Sequence, residues 1–349
     1  MDYLKIVRIS IASVLISLLA GASWASPQGG DHESRFELTE SFIRSQWRHP
    51  VRVLDVVAKG AGPVHIASED CEIHVGAELV EQSISDFSGV VLEPPNVCKD
   101  KSKSRDTWRT FYEGAKGKTC SATGFVRAWP EHLDSAHGDS NPKHFMELHP
   151  LRELACTPNP KIVLRDKLKA FPDLGYKDAA LIDVIFRTFR LWVRRIPHPD
   201  SPDLTSVAFD YHVCNREETS CSNRISVPNF TRLTVHPLAG TFRNVVAAAA
   251  SEEAFKTLIA RAKPHPEDDS DVGRAMLTKL YALEGTDFNQ ALGNGSGIQK
   301  DFDILGIFTI DPLSVIKTLD AMKQKGSDDW TEVPFPIAII VFGQMADEN

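Results

Sequence analysis

The segment Glu72–Leu79 reads EIHVGAEL and alternates polar with apolar side chains, which is the pattern of a β-strand with one buried face. Other short apolar runs, separated by glycine and proline, lie on either side of it, and this spacing is typical of an antiparallel barrel or sandwich. They cover residues 51–58, 90–93, 121–129 and 144–149, and a turn is predicted at 60–63. The first half of the chain is therefore predicted to be β-rich.

The second half of the chain combines strand and helix patterns. A helix is predicted at 251–263, and another over Pro312–Lys325, where Asp311 can cap the first turn and Gly326 can end the last. A shorter helix is expected at 37–48, before the first strand. Strands are predicted at 184–196, 205–213, 224–227, 231–235 and 337–342, the last an unbroken apolar run that suits burial on both faces.

The chain divides into a leader and two folded blocks. Residues 1–25 have the form of a secretory signal peptide, with a basic start, an apolar stretch and small residues before Ala25, and residues 26–49 form an N-terminal extension. The first domain is predicted at 50–156 and the second at 161–349, joined by the proline-containing segment TPNPK. An exported protein, periplasmic or secreted, is expected.

Composition excludes several classes of protein. The 349 residues are 42% hydrophobic and 25% charged, which rules out a collagen-like, coiled-coil or wholly disordered chain. The formal net charge of -8 opposes binding to nucleic acid or to an anionic membrane. No second hydrophobic span follows the leader, so no membrane span is expected after signal cleavage.

The six cysteines are expected to form disulfides in an oxidising compartment. Cys214 and Cys221 bracket a short polar loop and are predicted to pair with each other. The other four allow three connectivities, between which the sequence does not decide. These four are Cys71, Cys98, Cys120 and Cys156.

Two acidic-x-His pairs form the strongest candidate site. Residues i and i+2 of a strand face the same way, so Glu72 shares a face with His74 and Glu147 shares a face with His149. Three interpretations stay open: a solvated or hydrogen-bonded structural set, a ligand-recognition site, or a metal or catalytic centre. The full candidate cluster is Asp70, Glu72, His74, Glu93, Glu147 and His149.

Other sequence signals are weak. Residues 70–75 resemble 209–213, and 147–151 resemble 234–238, so the second domain is either a degenerate repeat of the first or similar to it by chance. The sequence contains no nucleophile elbow, phosphate-binding loop or HExxH motif. No motif therefore names a reaction.

Three short elements together carry a resemblance to a known group. The order DCEIH at 70–74, EPPNVC at 93–98 and ELHP at 147–150 is similar to a group of uncharacterised secreted bacterial proteins with a small OB-like barrel domain. The resemblance covers roughly residues 50–155, and it departs from the group's pattern at Cys71, where a glycine is expected. It implies an OB-like barrel and export, and it implies no activity.

These observations predict a mainly β protein with some α, namely an OB-like antiparallel barrel followed by a second β+α domain. The leading function is a non-catalytic binding module for an unknown ligand or protein partner, because no complete catalytic set is visible. The alternative is a metal-assisted, nuclease-like hydrolase that uses the Glu/His cluster of the first barrel. No cofactor is predicted, and a divalent metal ion belongs only to the alternative.

Overall fold

The computed structural model confirms a mainly β protein, with three sheets and one long helix among the residues it describes. All the described strands and helices lie in one compact unit that begins at Ser34. The predicted signal peptide and the predicted strand at 224–227 lie outside the described residues. The described ranges are 32–48, 51–65, 72–81, 89–93, 113–133, 144–158, 161–163, 189–214, 221–222, 231–237, 243–246, 254–264, 276–283 and 302–344.

The first sheet contains the strands predicted around Glu72. It is built from β2 (Val51–His65), β3 (Glu72–Leu79), β4 (Gly89–Leu92), β5 (Thr119–His132), β6 (His144–Cys156) and β7 (Lys161–Val163). Neighbouring strands follow the order β4-β3-β2-β5-β6-β7, and β4 also pairs with β6 in parallel. The pairings β2-β3-β4-β6-β5 therefore return to β2, and we call these five strands the first cycle.

Two details of this sheet differ from the prediction. The expected turn at 60–63 is absent, because β2 continues through it with register shifts between Ala58 and Gly60 and between Ala61 and Val64. Such shifts are β-bulges, which bend a strand without ending it. At the other end, β7 pairs with β6, so the sheet extends past residue 156. The domain boundaries themselves stay a prediction.

A second sheet in the C-terminal half has the same connectivity. It contains β11 (Thr231–Pro237), β12 (Arg243–Val246), β13 (Ala254–Pro264), β14 (Met276–Leu283), β15 (Phe302–Ile310) and β17 (Ile337–Gln344). The pairings β11-β13-β14-β17-β15 return to β11, and we call these five strands the second cycle. In each cycle the third and fifth strands along the chain pair in parallel, and the other neighbours are antiparallel.

The predicted helix at 251–263 is wrong, because this segment forms β13. It pairs along its whole length with β14 and on its other side with β11 and β12. Sheet pairing on both sides thus overrides a helical spacing of apolar residues. The predicted terminal strand is confirmed, since β17 pairs with β14 and β15 and its first four residues are buried.

A third sheet joins the N-terminal residues to the middle of the chain. It contains β1 (Phe36–Thr39), β8 (Phe189–His198), β9 (Ser201–Cys214), β10 (Cys221–Ser222) and β16 (Thr331–Glu332). Residues 209–213, which resemble 70–75 in sequence, belong to β9 and so do not occupy a strand of the second cycle. The similarity of the two cycles therefore does not follow the residues that suggested a repeat.

The helix predicted at 37–48 is confirmed only from Glu40 onwards. Residues before Glu40 form β1, which pairs with β9, and α1 (Glu40–Phe42) then continues as a π-helical turn over Ile43–Trp47. Burial raises the pKa of Glu40, but hydrogen bonds from Arg44 and Arg195 outweigh it, so the net pKa lies below its ordinary value. This ion pair ties α1 to β8.

The helix α2 (Pro312–Lys325) is confirmed with both of its end signals. The carboxylate of Asp311 accepts hydrogen bonds from the backbone N–H groups of Leu313 and Ser314, each at 3.2 Å. Gly326 ends the helix in the left-handed conformation at φ 64°, which a residue without Cβ adopts readily. No described helix is long and apolar enough to cross a membrane.

The hydrophobic core is continuous across the three sheets. Phe36 of β1 stacks on Phe145 of β6 with ring centroids 4.0 Å apart, and Trp129 of β5 stacks on Phe308 of β15 at 5.9 Å. The β5–β6 side of the first cycle is therefore packed against other sheets rather than exposed to water.

Candidate functional site

Four of the six predicted site residues lie side by side on neighbouring strands of the first cycle. Val75 of β3 faces Leu92 of β4, and Leu92 lies beside Leu148 of β6. One step along each strand, the same register brings His74, Glu93 and His149 into a row. Glu147 lies two residues before His149 on β6.

The side chains of this row contact one another around Glu93. Nε2 of His74 lies 3.2 Å from Oε1 of Glu93, and Nδ1 of His149 lies against Oε2 of the same carboxylate. Nδ1 of His149 is also 3.6 Å from Oε2 of Glu147. Both acidic-x-His strands and the glutamate after β4 therefore supply one cluster.

The backbone fixes Glu93 although it follows the end of β4. Its N–H donates to the carbonyl of Leu148 at 3.1 Å, and its own carbonyl accepts from the N–H of Leu151 at 2.9 Å. These two bonds on β6 hold Glu93 beside His149, so the carboxylate is placed by sheet pairing and not by a loop.

Arg127 of β5 completes the cluster, and the sequence analysis missed it. Its guanidinium donates to Oε2 of Glu147 at 2.5 Å and, through Nε, to the carbonyl of Phe308 at 2.8 Å. Arg127 is also the register partner of Glu147 across β5 and β6. The signal available in the sequence was a single charged residue within the apolar run GFVRAW, because such a residue must find a partner when its strand is buried.

All five side chains of this buried charge cluster are withdrawn from water. Their exposed fractions are 6% for His74, 1% for Glu93, 2% for Arg127, 1% for Glu147 and 0% for His149. In this site, from which water is excluded, Arg127 pairs with Glu147, whereas Glu93 lies between the imidazoles of His74 and His149. Burying an ionised carboxylate is costly unless it is compensated, and a proton on the carboxylate or on an imidazole, or a bound cation, can compensate Glu93 here.

The other predicted site residues are only partly covered by the structure. Asp70 lies outside the described residues, and of Glu72 only the backbone in β3 is described. Two groups of described residues have carboxylate and imidazole ligand atoms within 4.8 Å of one another, namely Glu93, Glu147 and His149, which are all buried, and His32, Asp210 and His212, of which only Asp210 is buried.

The structure selects one of the three disulfide connectivities left open for the first domain. Cys120 of β5 is bonded to Cys156 of β6. Cys221 is in a disulfide and faces Cys214 across β9 and β10, although the predicted bond between these two sulfurs stays a prediction. Cys71 and Cys98 lie outside the described residues.

A small apolar pocket lies elsewhere, between the N-terminal helical turn and the two cycles. It is lined by residues that include Trp47, Phe125 and Ile340, and none of the predicted site residues borders it. The buried charge cluster is therefore separate from this pocket.

Comparison with known proteins adds no assignment. The sequence matches no protein-family model and no curated protein.

Proposed function

We propose that this chain is an exported, non-catalytic binding protein built on two OB-like barrels. The observation that carries the proposal is the connectivity of the two cycles, in which five strands pair in the order first-second-third-fifth-fourth and return to the first. A five-stranded Greek-key barrel of this kind is the OB fold, which serves mainly to bind extended oligomers. The second cycle is then a degenerate structural repeat of the first.

The burial of the charge cluster supports binding rather than catalysis. A hydrolytic centre must admit the scissile bond of its substrate to within about 3 Å of the reacting groups. Glu93, Glu147 and His149 are at most 1% exposed, and Arg127 holds one of the two carboxylates. This supports a structural role for the cluster beneath a binding surface elsewhere on the barrel.

The ligand surface in this proposal is the face of β2 and β5 on which Asp55, Val57, Ser121 and Thr123 are exposed or half-buried, because the described side chains of β3 and β4 are almost all buried. The formal charge of -8 disfavours a polyanionic ligand such as nucleic acid. An extended neutral oligomer therefore fits the surface best. Export follows from the predicted signal peptide, and the disulfide between Cys120 and Cys156 is consistent with it.

The test is a binding screen of the purified protein against arrays of neutral oligosaccharides and unstructured peptides, with single-stranded DNA as the comparison ligand. Saturable binding that is absent for DNA and that perturbs NMR signals of β2 and β5 supports the proposal. Binding that perturbs only β8 and β9, or no binding to either array, overturns it.

A metal-assisted hydrolase is the second candidate function, and the convergence of three ligand atoms within 4.8 Å favours it. Its residues are Glu72, His74, Glu93, Glu147 and His149. The discriminating assay is hydrolysis of an activated phosphodiester with zinc or manganese added. Turnover that is lost on chelation and in a Glu93→Gln variant establishes the hydrolase and removes the non-catalytic proposal.

A further inference from the structure

Three side chains of the buried charge cluster form a set of ligand atoms that suits a transition-metal ion. Glu93, Glu147 and His149 present two carboxylate oxygens and one imidazole nitrogen, all within 4.8 Å of one another. We propose that these residues bind one structural zinc ion inside the first cycle. This proposal is independent of the binding function proposed above.

The charge of the cluster is the first argument for a cation. Two carboxylates and one guanidinium leave one negative charge in a site that is at most 6% exposed at any of its five side chains. Water does not solvate that charge, and the compensating positive charge must come from within the cluster. A divalent ion bound by Glu93 and Glu147 compensates both carboxylates directly, and the cluster together with Arg127 then carries one net positive charge.

The geometry of Glu93 is the second, independent argument. Its Oε2 atom is buried and accepts no hydrogen bond from any described residue, although Nδ1 of His149 lies directly against it. The two atoms thus lie side by side without the alignment that a donor and an acceptor adopt. Two ligands of one ion are also close neighbours, and an ion bound between these two atoms would satisfy Oε2 directly.

The remaining cluster members occupy positions that support a metal site. Nε2 of His74 is 3.2 Å from Oε1 of Glu93, and Arg127 holds Glu147 while its own Nε is fixed by the carbonyl of Phe308. Ligating carboxylates in metal sites are ordinarily held by such outer contacts, which fix their direction. His74 and Arg127 are therefore positioning residues and not ligands.

The chemistry of the donor set points to zinc. One imidazole with two carboxylates suits a borderline ion, whereas calcium and magnesium prefer oxygen ligands alone. Zinc binds nitrogen and oxygen at about 2.0–2.2 Å, so His149 and Glu93 must separate slightly and Nδ1 must be unprotonated when the ion enters.

The test starts with the unmodified protein, stripped with a chelator and dialysed against zinc. We expect one zinc per chain by elemental analysis, a thermal unfolding midpoint several degrees higher than that of the stripped protein, and a visible absorption band when cobalt replaces zinc. A folded protein that takes up no stoichiometric zinc and shows no cobalt band overturns the proposal and assigns the missing positive charge to a proton.

Three variants separate ligands from positioning residues. Glu93→Gln should lose the stoichiometric ion, and His74→Gln should keep it with an affinity about 10–100-fold lower. His198→Gln is the matched control, because His198 lies on β8 and belongs to neither group of described residues whose ligand atoms converge, and it should bind zinc normally. An unchanged cobalt spectrum in Glu93→Gln contradicts the proposal. If that variant does not fold, the metal content of the unmodified protein decides the question.

Discussion

The first and second cycles share strand order and strand directions but differ in the side chains between their fourth and fifth strands. In the first cycle, Arg127 of β5 faces Glu147 of β6. In the second cycle, the corresponding strands β15 and β17 place Ile307 opposite Ile340. At this pair of strands the same connectivity is thus formed with a buried ion pair in the first cycle and with an apolar pair among the described side chains of the second.

The two cycles also differ in covalent cross-links. Cys120 and Cys156 join the fourth and fifth strands of the first cycle, whereas residues 231–349 contain no cysteine. The second cycle has instead the capped helix α2 between its fourth and fifth strands. The fourth and fifth strands are therefore joined by a disulfide in the first cycle and connected through the capped helix α2 in the second. The disulfide and the helix cap can each be removed by substitution without changing the other.

Removal of Arg127 should have the largest effect. In Arg127→Ala, the carboxylate of Glu147 stays buried without its guanidinium, and loss of one partner of a buried ion pair costs about 3–5 kcal/mol. The free energy of unfolding in urea measures this loss, with a chelator present so that bound metal does not contribute.

The matched control copies the second cycle. A double variant, Arg127→Ile with Glu147→Ile, replaces the ion pair by the apolar pair seen at Ile307 and Ile340. Because the double variant removes the carboxylate of Glu147 together with its guanidinium, only the charge of Glu93 stays buried, and we expect it to be more stable than Arg127→Ala. A double variant that is as unstable as the single one would show that the first cycle, unlike the second, depends on its charges.

The sequence predicted the first cycle better than the second for a physical reason. Strands such as Glu72–Leu79 alternate polar and apolar residues, so their period identifies them without knowledge of their partners. The segment of β13 carries apolar residues at a spacing that also fits a helix. Its strand conformation depends on pairing with β11, β12 and β14, which a local pattern does not contain.

The sequence predicted the acidic-x-His pairs of the candidate site but not the arginine that contacts one of them. The i,i+2 rule placed Glu147 and His149 on one face, and the structure brings them together with His74 and Glu93. Arg127 was not predictable as a member, because its contact with Glu147 depends on the register of β5 against β6. The burial of the cluster likewise depends on packing against β15, which follows more than 150 residues later.

The disulfide of the first cycle should have the next largest effect. Cys120 and Cys156 are 36 residues apart, and closing a loop of that length stabilises a protein by about 4 kcal/mol in the chain-entropy model. The variant Cys120→Ser with Cys156→Ser should lose about that free energy in urea unfolding. An unchanged unfolding midpoint would contradict this expectation.

Mass mapping of non-reduced peptides provides the covalent control. With Cys120 bonded to Cys156, the predicted pair of Cys214 with Cys221 leaves Cys71 and Cys98 to each other. The map should contain these three bonds, and a mixed pairing would show that the first cycle is cross-linked differently from the structure described here.

The smallest effect is expected at the helix of the second cycle. The carboxylate of Asp311 caps α2 by accepting from the N–H groups of Leu313 and Ser314 and, at 2.6 Å, from the hydroxyl of Ser314. Asp311→Ala removes these bonds and should cost about 1–2 kcal/mol in thermal or urea unfolding, while Asp311→Asn keeps an acceptor and should cost less. Because α2 connects β15 to β17, the loss should appear as faster amide exchange in the second cycle, with exchange in β5 and β6 unchanged. Equal acceleration in both cycles would show that they unfold as one cooperative unit. The disulfide of the first cycle and the helix cap of the second would then both stabilise that single unit.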